Sequence, residues 1–352
     1  MSRCRRIVPA LVLAIAIAGC ASDGAPGPSV GDPSTPPETP SGQATNPGTS
    51  TPSSAPSPSA PEWLQAQIGV GAGVGYVTTG FGSVWAANHI EGTVSRIDPK
   101  TNQVSSTIEL PGEPTGIIAA FGSIWTYSAL SGLQINRIDP VTNRPVASIP
   151  VGVPGGSPAG FADFAGSLWY ATGDTGELLR IDPTANEIEE RTHAGPTGCL
   201  GSVTAGAGFV WYTCGGNSLA KIDPATSEVV ARIEMPAEAG TPSFGSGSIW
   251  VPLPNEGTIQ RVDPEAGTIV GTFGSGAIRV DIVAVGSGEL WVRTSATELT
   301  RVAIDTGEEL QSYQLPPAPI PGGGITLGFG SVWVANFEDE SIWRIDPGAM
   351  PS

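Results

Sequence analysis

Between residues 63 and 347, short apolar runs alternate with Gly, Pro, Asn and Asp in a pattern that returns about every 41 residues. Each unit reads Gly-Ser-apolar-Trp, a short polar loop, Arg-Ile-Asp-Pro, and an apolar run ending in Pro or Gly. Tryptophans mark seven copies, at Trp85, Trp125, Trp169, Trp211, Trp250, Trp291 and Trp333. In residues 114–152 the apolar segments are Pro114 to Ala119, Ile124 to Tyr127, Ile135 to Ile138 and Pro145 to Val151. Segments this short, each bounded by turn-forming residues, are strands joined by tight turns. Four strands per unit at this period are the signature of propeller blades, not of independent domains. The pattern predicts an all-β chain, a seven-bladed β-propeller of four-stranded antiparallel blades spanning residues 62–352.

The ends of the array predict how it closes. The last unit stops after Trp343-Arg344-Ile345-Asp346-Pro347 and lacks an outer strand, whereas Glu62 to Val70 precedes the first unit and reads as an outer strand without a blade. Pairing the two completes blade seven and removes edges that would otherwise recruit other chains. The seven tryptophans are expected between neighbouring sheets. Trp63 and Trp343 fall outside the register. The repeated Asp-Pro at residues 98, 139, 182, 223, 263 and 346 reads as a turn cap, the carboxylate accepting backbone N–H bonds and the proline presetting φ. Blade six has Ala303-Ile304 there, which predicts its least well fixed turn.

The N-terminal 61 residues follow a different pattern. Arg3, Arg5 and Arg6 precede an apolar run from Ile7 to Ala18 and Ile17-Ala18-Gly19-Cys20. This resembles a bacterial lipoprotein leader over residues 1–20, in which Cys20 becomes the lipid-bearing first residue of the mature chain. Residues 21–61 hold eleven prolines, one valine and no aromatic residue. Such a stretch buries too little apolar surface to offset its ordering entropy and reads as a disordered tether. Its reach is roughly 130 Å if extended as polyproline, or about 35 to 40 Å as a flexible coil. The expected location is the extracytoplasmic side of a cell membrane, lipid-anchored, with the membrane as one partner.

The chain carries 16 basic and 33 acidic residues, a net charge of −17. Losing the three leader arginines would make it −20, which disfavours phosphate backbones and excludes nucleic acid as a partner. Cys199 and Cys214 flank a hairpin whose turn is expected near Gly206-Ala207, placing them opposite each other on adjacent strands. A structural disulfide is the reading, favoured by an oxidising location.

The Gly-Ser-apolar-Trp and Arg-Ile-Asp-Pro elements over residues 63–347 are similar to those of the seven-bladed YVTN and streptogramin-lyase-like propellers. In streptogramin lyases, histidine and glutamate in the central cleft act with magnesium, and elimination opens a cyclic lactone. Only His89 and His193 are present here. His89 lies in the loop Asn88-His89-Ile90-Glu91, and with Glu91 it is the candidate acid–base pair; His193 falls late in an outer strand. In a propeller, the loops between second and third strands and those between blades gather around the channel on one face. Candidate ligand-contacting residues there are Asn88, Tyr127, Asp174, Asn217, Asn255, Arg279, Asp281, Arg293, Asn336 and Phe337, which vary between blades while turns and tryptophans do not. Two readings follow. The first is a monomeric, cofactor-free binding module for an envelope protein, peptide or glycan. The second is a lyase-like or lactonase-like enzyme using Mg²⁺ or Ca²⁺.

Overall fold

The apolar runs pair into seven sheets of four antiparallel strands each. A computed structural model describes residues 61–128, 133–152, 160–173, 175–199, 201–214, 216–274, 283–286, 288–295, 297–315 and 323–349. The leader, Cys20 and nearly all of the tether lie outside the described residues. Blade 1 runs outward from the channel as β2 (Val74–Gly80), β3 (Ser83–Asn88), β4 (Thr93–Asp98) and β5 (Gln103–Glu109). Blades 2 to 6 repeat it as β6–β9 (114–150), β10–β13 (161–193), β14–β17 (201–234), β18–β21 (243–274) and β22–β25 (283–314). Blade 7 comprises β26 (Ile325–Gly328), β27 (Ser331–Asn336), β28 (Ser341–Ile345) and, outermost, β1 (Leu64–Gly69). The inner strands of successive blades adjoin, and Gly324 N–H donates to Gly75 O (2.8 Å) where blade 7 meets blade 1.

The repeated residues act together as a latch between blades. In six described blades the first hairpin turns through two residues of positive φ, as at Phe81 (52°) and Gly82 (73°), the geometry that matches the twist of paired strands. The following Trp donates from Nε1 back across that hairpin, Trp85 to Gly80 O (3.0 Å) and Trp333 to Gly328 O (2.9 Å). Trp85 then fills the space against Ile124 and Ile138 of the next blade. All seven are at most 1% exposed. A cation from the third strand covers each ring, Arg96 lying 4.9 Å from the Trp85 ring centre and Arg344 5.0 Å from that of Trp333.

The same guanidinium ties three places. Arg96 Nε donates to Ser83 Oγ (2.8 Å) of its own hairpin, and Nη1 donates to Pro140 O (2.7 Å) and Asn143 Oδ1 (2.9 Å) of the next blade's Asp-Pro turn. Arg137 repeats this towards Pro183 and Asn186, and Arg344 crosses the ring junction to Pro99 and Asn102. The sequence unit is therefore conserved from blade to blade because its Ser, Trp, Arg, Pro and Asn meet across each interface. Blade 4 uses Lys221, whose Nζ donates to Pro264 O (2.8 Å). In blade 6, Glu289 replaces the serine and forms a two-pronged ion pair with Arg301.

The Asp residues cap their turns: Asp98 Oδ1 accepts from Lys100 N–H (2.8 Å) and Asp182 Oδ1 from Thr184 (2.6 Å) and Ala185 (3.0 Å). Blade 6 lacks the carboxylate, yet Gly307 N–H reaches Ala303 O (2.9 Å) as Asn102 N–H reaches Asp98 O. Gly307, at φ 72°, supplies the left-handed step, so this turn keeps its shape and loses only the cap. Turn N–H groups donating to Asp139, Asp182 and Asp263 hold these carboxyls below their ordinary range. Stability from depressed carboxyls is complete above the unfolded value of about 3.9 and is lost as pH falls through the folded values. The melting temperature should therefore be level near neutrality and fall below about pH 4. Replacing all three by Asn should shrink that acid limb modestly, because the groups are exposed; an identical limb in thermal melts would remove the assignment.

β1 pairs antiparallel with β28, Leu64 opposite Ile345 and Gly69 opposite Ser341. Trp63, at 4% exposure, enters the core between blades 6 and 7, its ring centre 5.5 Å from Tyr313, which lies 5.6 Å from Trp291. Trp63 O accepts from Asp346 N–H (2.9 Å), and Gln65 bridges Asp346 Oδ2 and Ser331 Oγ. Trp343, fully buried on β28, belongs to the same core. The two tryptophans outside the repeat thus serve the blade that the two chain ends share.

Cys199 and Cys214 form a disulfide with Cα atoms 5.2 Å apart. They are not cross-strand partners. The hairpin turns at Ala207-Gly208, one residue later than expected, so Cys214 faces Gly201. Cys199 precedes β14, and the bond pins the segment entering blade 4 to the end of β15.

Candidate ligand-binding funnel

All the latch contacts lie at one face, which carries the first hairpins and the Asp-Pro turns. The opposite face carries the loops between second and third strands and the loops that join blades. Among the described residues, every ligand-contacting candidate inferred from sequence belongs to this loop face or to the strand ends beneath it. Asp174, Arg279 and Asp281 lie outside the described residues.

In blade 1, Asn88 closes β3 and is fully buried, its Nδ2 donating to Thr93 Oγ1 and Ser95 Oγ (both 2.9 Å). This pairing makes it a support inside the blade, although Asn88 Oδ1 is buried without a partner. His89 is half-buried, with Nδ1 buried and unpartnered. Its backbone N–H donates to Gly73 O (3.1 Å). Glu91 is exposed, and Oε2 accepts from Ala72 N–H (3.1 Å). The carboxylate therefore holds the loop entering blade 1. A side chain at Gly71 would collide with Glu91 and Asn88, so only glycine lets that loop lie so close.

Elsewhere on the face, Asn217 and Asn255 are exposed. Asn217 O accepts from Met235 N–H (2.8 Å), and Asn255 Nδ2 donates to Glu238 Oε2 (3.2 Å) on the loop between blades 4 and 5. Asn336 is fully buried and donates to Asp339 Oδ2 (2.7 Å), ordering the loop that half-buries Phe337. Arg293, 8% exposed, reaches into the junction with blade 7, Nη1 donating to Ala335 O (3.1 Å). Burial lowers its affinity for its proton. His193 is exposed on the outermost strand of blade 3, opposite Glu177. Among the described residues no three His, Cys, Asp or Glu side chains gather as a metal site.

One cluster escaped sequence reasoning. Tyr127 is buried and meets Tyr170 of blade 3 at 4.7 Å between ring centres, and Tyr170 meets Phe161 at 4.9 Å. Burial first, and then the nearby Tyr127 and Tyr76, push the Tyr170 hydroxyl well above its ordinary range. Tyr127, Tyr170 and Phe161 thus form a largely buried aromatic contact between blades 2 and 3. The signal in the chain was the residue after each Trp, which turns to the opposite side of the sheet: Tyr170 points back towards blade 2, where Tyr127 points forward.

No protein-family model matches the chain, and no curated protein is similar to it in sequence. Among solved structures, virginiamycin B lyase from Staphylococcus aureus matches with a TM-score of 0.70 and 17% identity, covering 80% of this chain and 98% of that one. The likeness is one of fold. Hydrazine synthase of Kuenenia stuttgartiensis matches at TM-score 0.68 and 12% identity, over 78% of this chain and 96% of that chain. The computationally designed Ika8 protein matches at TM-score 0.60 and 11% identity, over 79% and 98%. At these identities the propeller architecture is shared, and each site must be read from its own residues.

Proposed function

We propose that the chain is a membrane-anchored extracytoplasmic lipoprotein whose propeller binds an envelope protein, peptide or glycan through its loop face. The observation that carries this reading is the separation of the two faces. The repeated Ser, Trp, Arg and Asp-Pro contacts are confined to the hairpin face, so the loop face can vary without loosening the ring. There the exposed residues vary between blades, from Glu91 to the Asn255–Glu238 bridge, beside a half-buried Phe337. A varied polar rim suits recognition of a neutral or basic ligand, given the chain's charge of −17. The leader-like residues 1–20 and the Pro-rich tether support the anchored location.

Calorimetry of the full chain with soluble cell-wall glycan strands and with basic and neutral peptides tests the reading. Binding of one class, lost in Phe337→Ala and retained in His193→Ala, is the expected result. The second reading rests on His89, whose Nδ1 is buried without a partner two residues before the Glu91 carboxylate. Lactone turnover that requires Mg²⁺ or Ca²⁺ and disappears in His89→Ala would replace the binding role with an enzymatic one.

A further inference from the structure

The hairpin face carries an apolar patch that the scaffold does not require. At the first position of the inner hairpin, blades 3, 4 and 5 hold Ala165, Ala207 and Ser246. Blades 7, 1 and 2, consecutive around the ring, hold Phe329, Phe81 and Phe121 there, at φ of 55°, 52° and 48°. A bulky side chain is disfavoured in left-handed backbone, and small residues form the same turn in the other blades. Burial does not offset that cost at Phe329 and Phe81, which are 44% and 43% exposed, whereas Phe121 is half-buried against the core. Val141, in the Asp-Pro turn of blade 2 on the same face, is 85% exposed. Phe329, Phe81 and Val141 are therefore exposed over three adjoining blades, with Phe121 partly packed against the core beside them.

The chain enters the propeller at this same place. Leu64 lies opposite Ile345, which lies opposite Val332 just past the Phe329 hairpin. Pro61, bonded through its carbonyl to Leu64 N–H, thus lies at the hairpin-face end of blade 7, on the same face as the patch. We propose that Phe329, Phe81 and Val141 rest on the lipid bilayer that holds the Cys20 anchor, so that the funnel faces away from the membrane. The proposal rests on the anchored reading given above. A flexible tether keeps the domain near its membrane at an effective concentration of about millimolar order, so a contact of only millimolar strength is occupied a large part of the time. The neighbouring turn carboxylates Asp98, Asp139 and Asp346 oppose anionic headgroups, which makes zwitterionic lipid the preferred surface.

The test uses the acylated full-length protein in phosphatidylcholine vesicles. A fluorophore is placed by Lys100→Cys on the hairpin face or by Glu256→Cys on the loop face, Cys199 and Cys214 being held in their disulfide. With quencher-labelled acyl chains in the bilayer, quenching is expected to be severalfold stronger for the hairpin-face label, and weaker when a fraction of the lipid is anionic. Phe81→Ser with Phe329→Ser should erase the difference between the two labels without lowering the melting temperature. Equal quenching in protein that still floats with the vesicles overturns the orientation and leaves the anchor intact. A Phe-dependent dimer in sedimentation, again without unequal quenching, gives the patch to a second copy of the chain and overturns the proposal. Protein from cells that carries no acyl group on Cys20 and does not float removes the anchor, and this inference with it.

Discussion

A chain lacking residues 61–69 is expected to lose its cooperative fold or to associate through the bare edge of β28. The deletion strips blade 7 of its outer strand and withdraws Trp63 from the core it shares with Trp291, Tyr313 and Trp343. Trp63→Ala alone should cost about 3–5 kcal/mol, the range for truncating a fully packed tryptophan. The full deletion adds the lost ladder to β28 and the Gln65 bridge between Asp346 and Ser331, and so exceeds the single substitution. An exposed strand edge then offers other copies a template. Denaturant unfolding with sedimentation measures both effects, and a peptide of residues 61–70 supplied in trans should partly restore the monomer. A truncated protein that stays monomeric and melts at the original temperature contradicts the role given to β1.

The second large effect belongs to the latch at the ring junction. Trp333→Ala should cost about 3–5 kcal/mol, since its indole is fully buried against blade 1 and hydrogen-bonded to Gly328 O. Arg344→Ala removes the cation over that ring together with the bonds to Pro99 O and Asn102 Oδ1, for about 2–3 kcal/mol. The two residues act as one unit, so the double variant should fall short of the sum by about 0.5–2 kcal/mol. Strict additivity in a double-mutant cycle would mean that the guanidinium and the indole are neighbours without energetic contact. The equivalent pair Arg261 and Trp250, within the ring, should show the same coupling without loosening the junction.

Architecture was legible in the sequence because the repeat is dictated by local chemistry. Turn formers at fixed offsets and one Trp per unit specify strand lengths and blade count, and the missing outer strand after Asp346 foretold where Glu62 to Val70 would lie. The latch was less legible, because Arg96 and Pro140 are 44 positions apart and only packing shows that they meet. The cysteine register was missed by one residue pair: Gly206 ends β14, and the left-handed pair Ala207-Gly208 makes the turn. At the loop face, residue type gave location and not role. Asn88 and Asn336 looked like ligand contacts, yet their amides bond inside their own blades. The Tyr127–Tyr170 contact joins strands of different blades, and the only local trace of it is the change of side at the residue after Trp169.

The account depends most on the ring being fastened by the N-terminal strand, and amide hydrogen exchange reads that directly. Peptides covering Leu64–Gly69 should exchange as slowly as those covering Ser341–Ile345, opening only with global unfolding. Exchange of the first segment within seconds, while β27 and β28 stay protected, would contradict it.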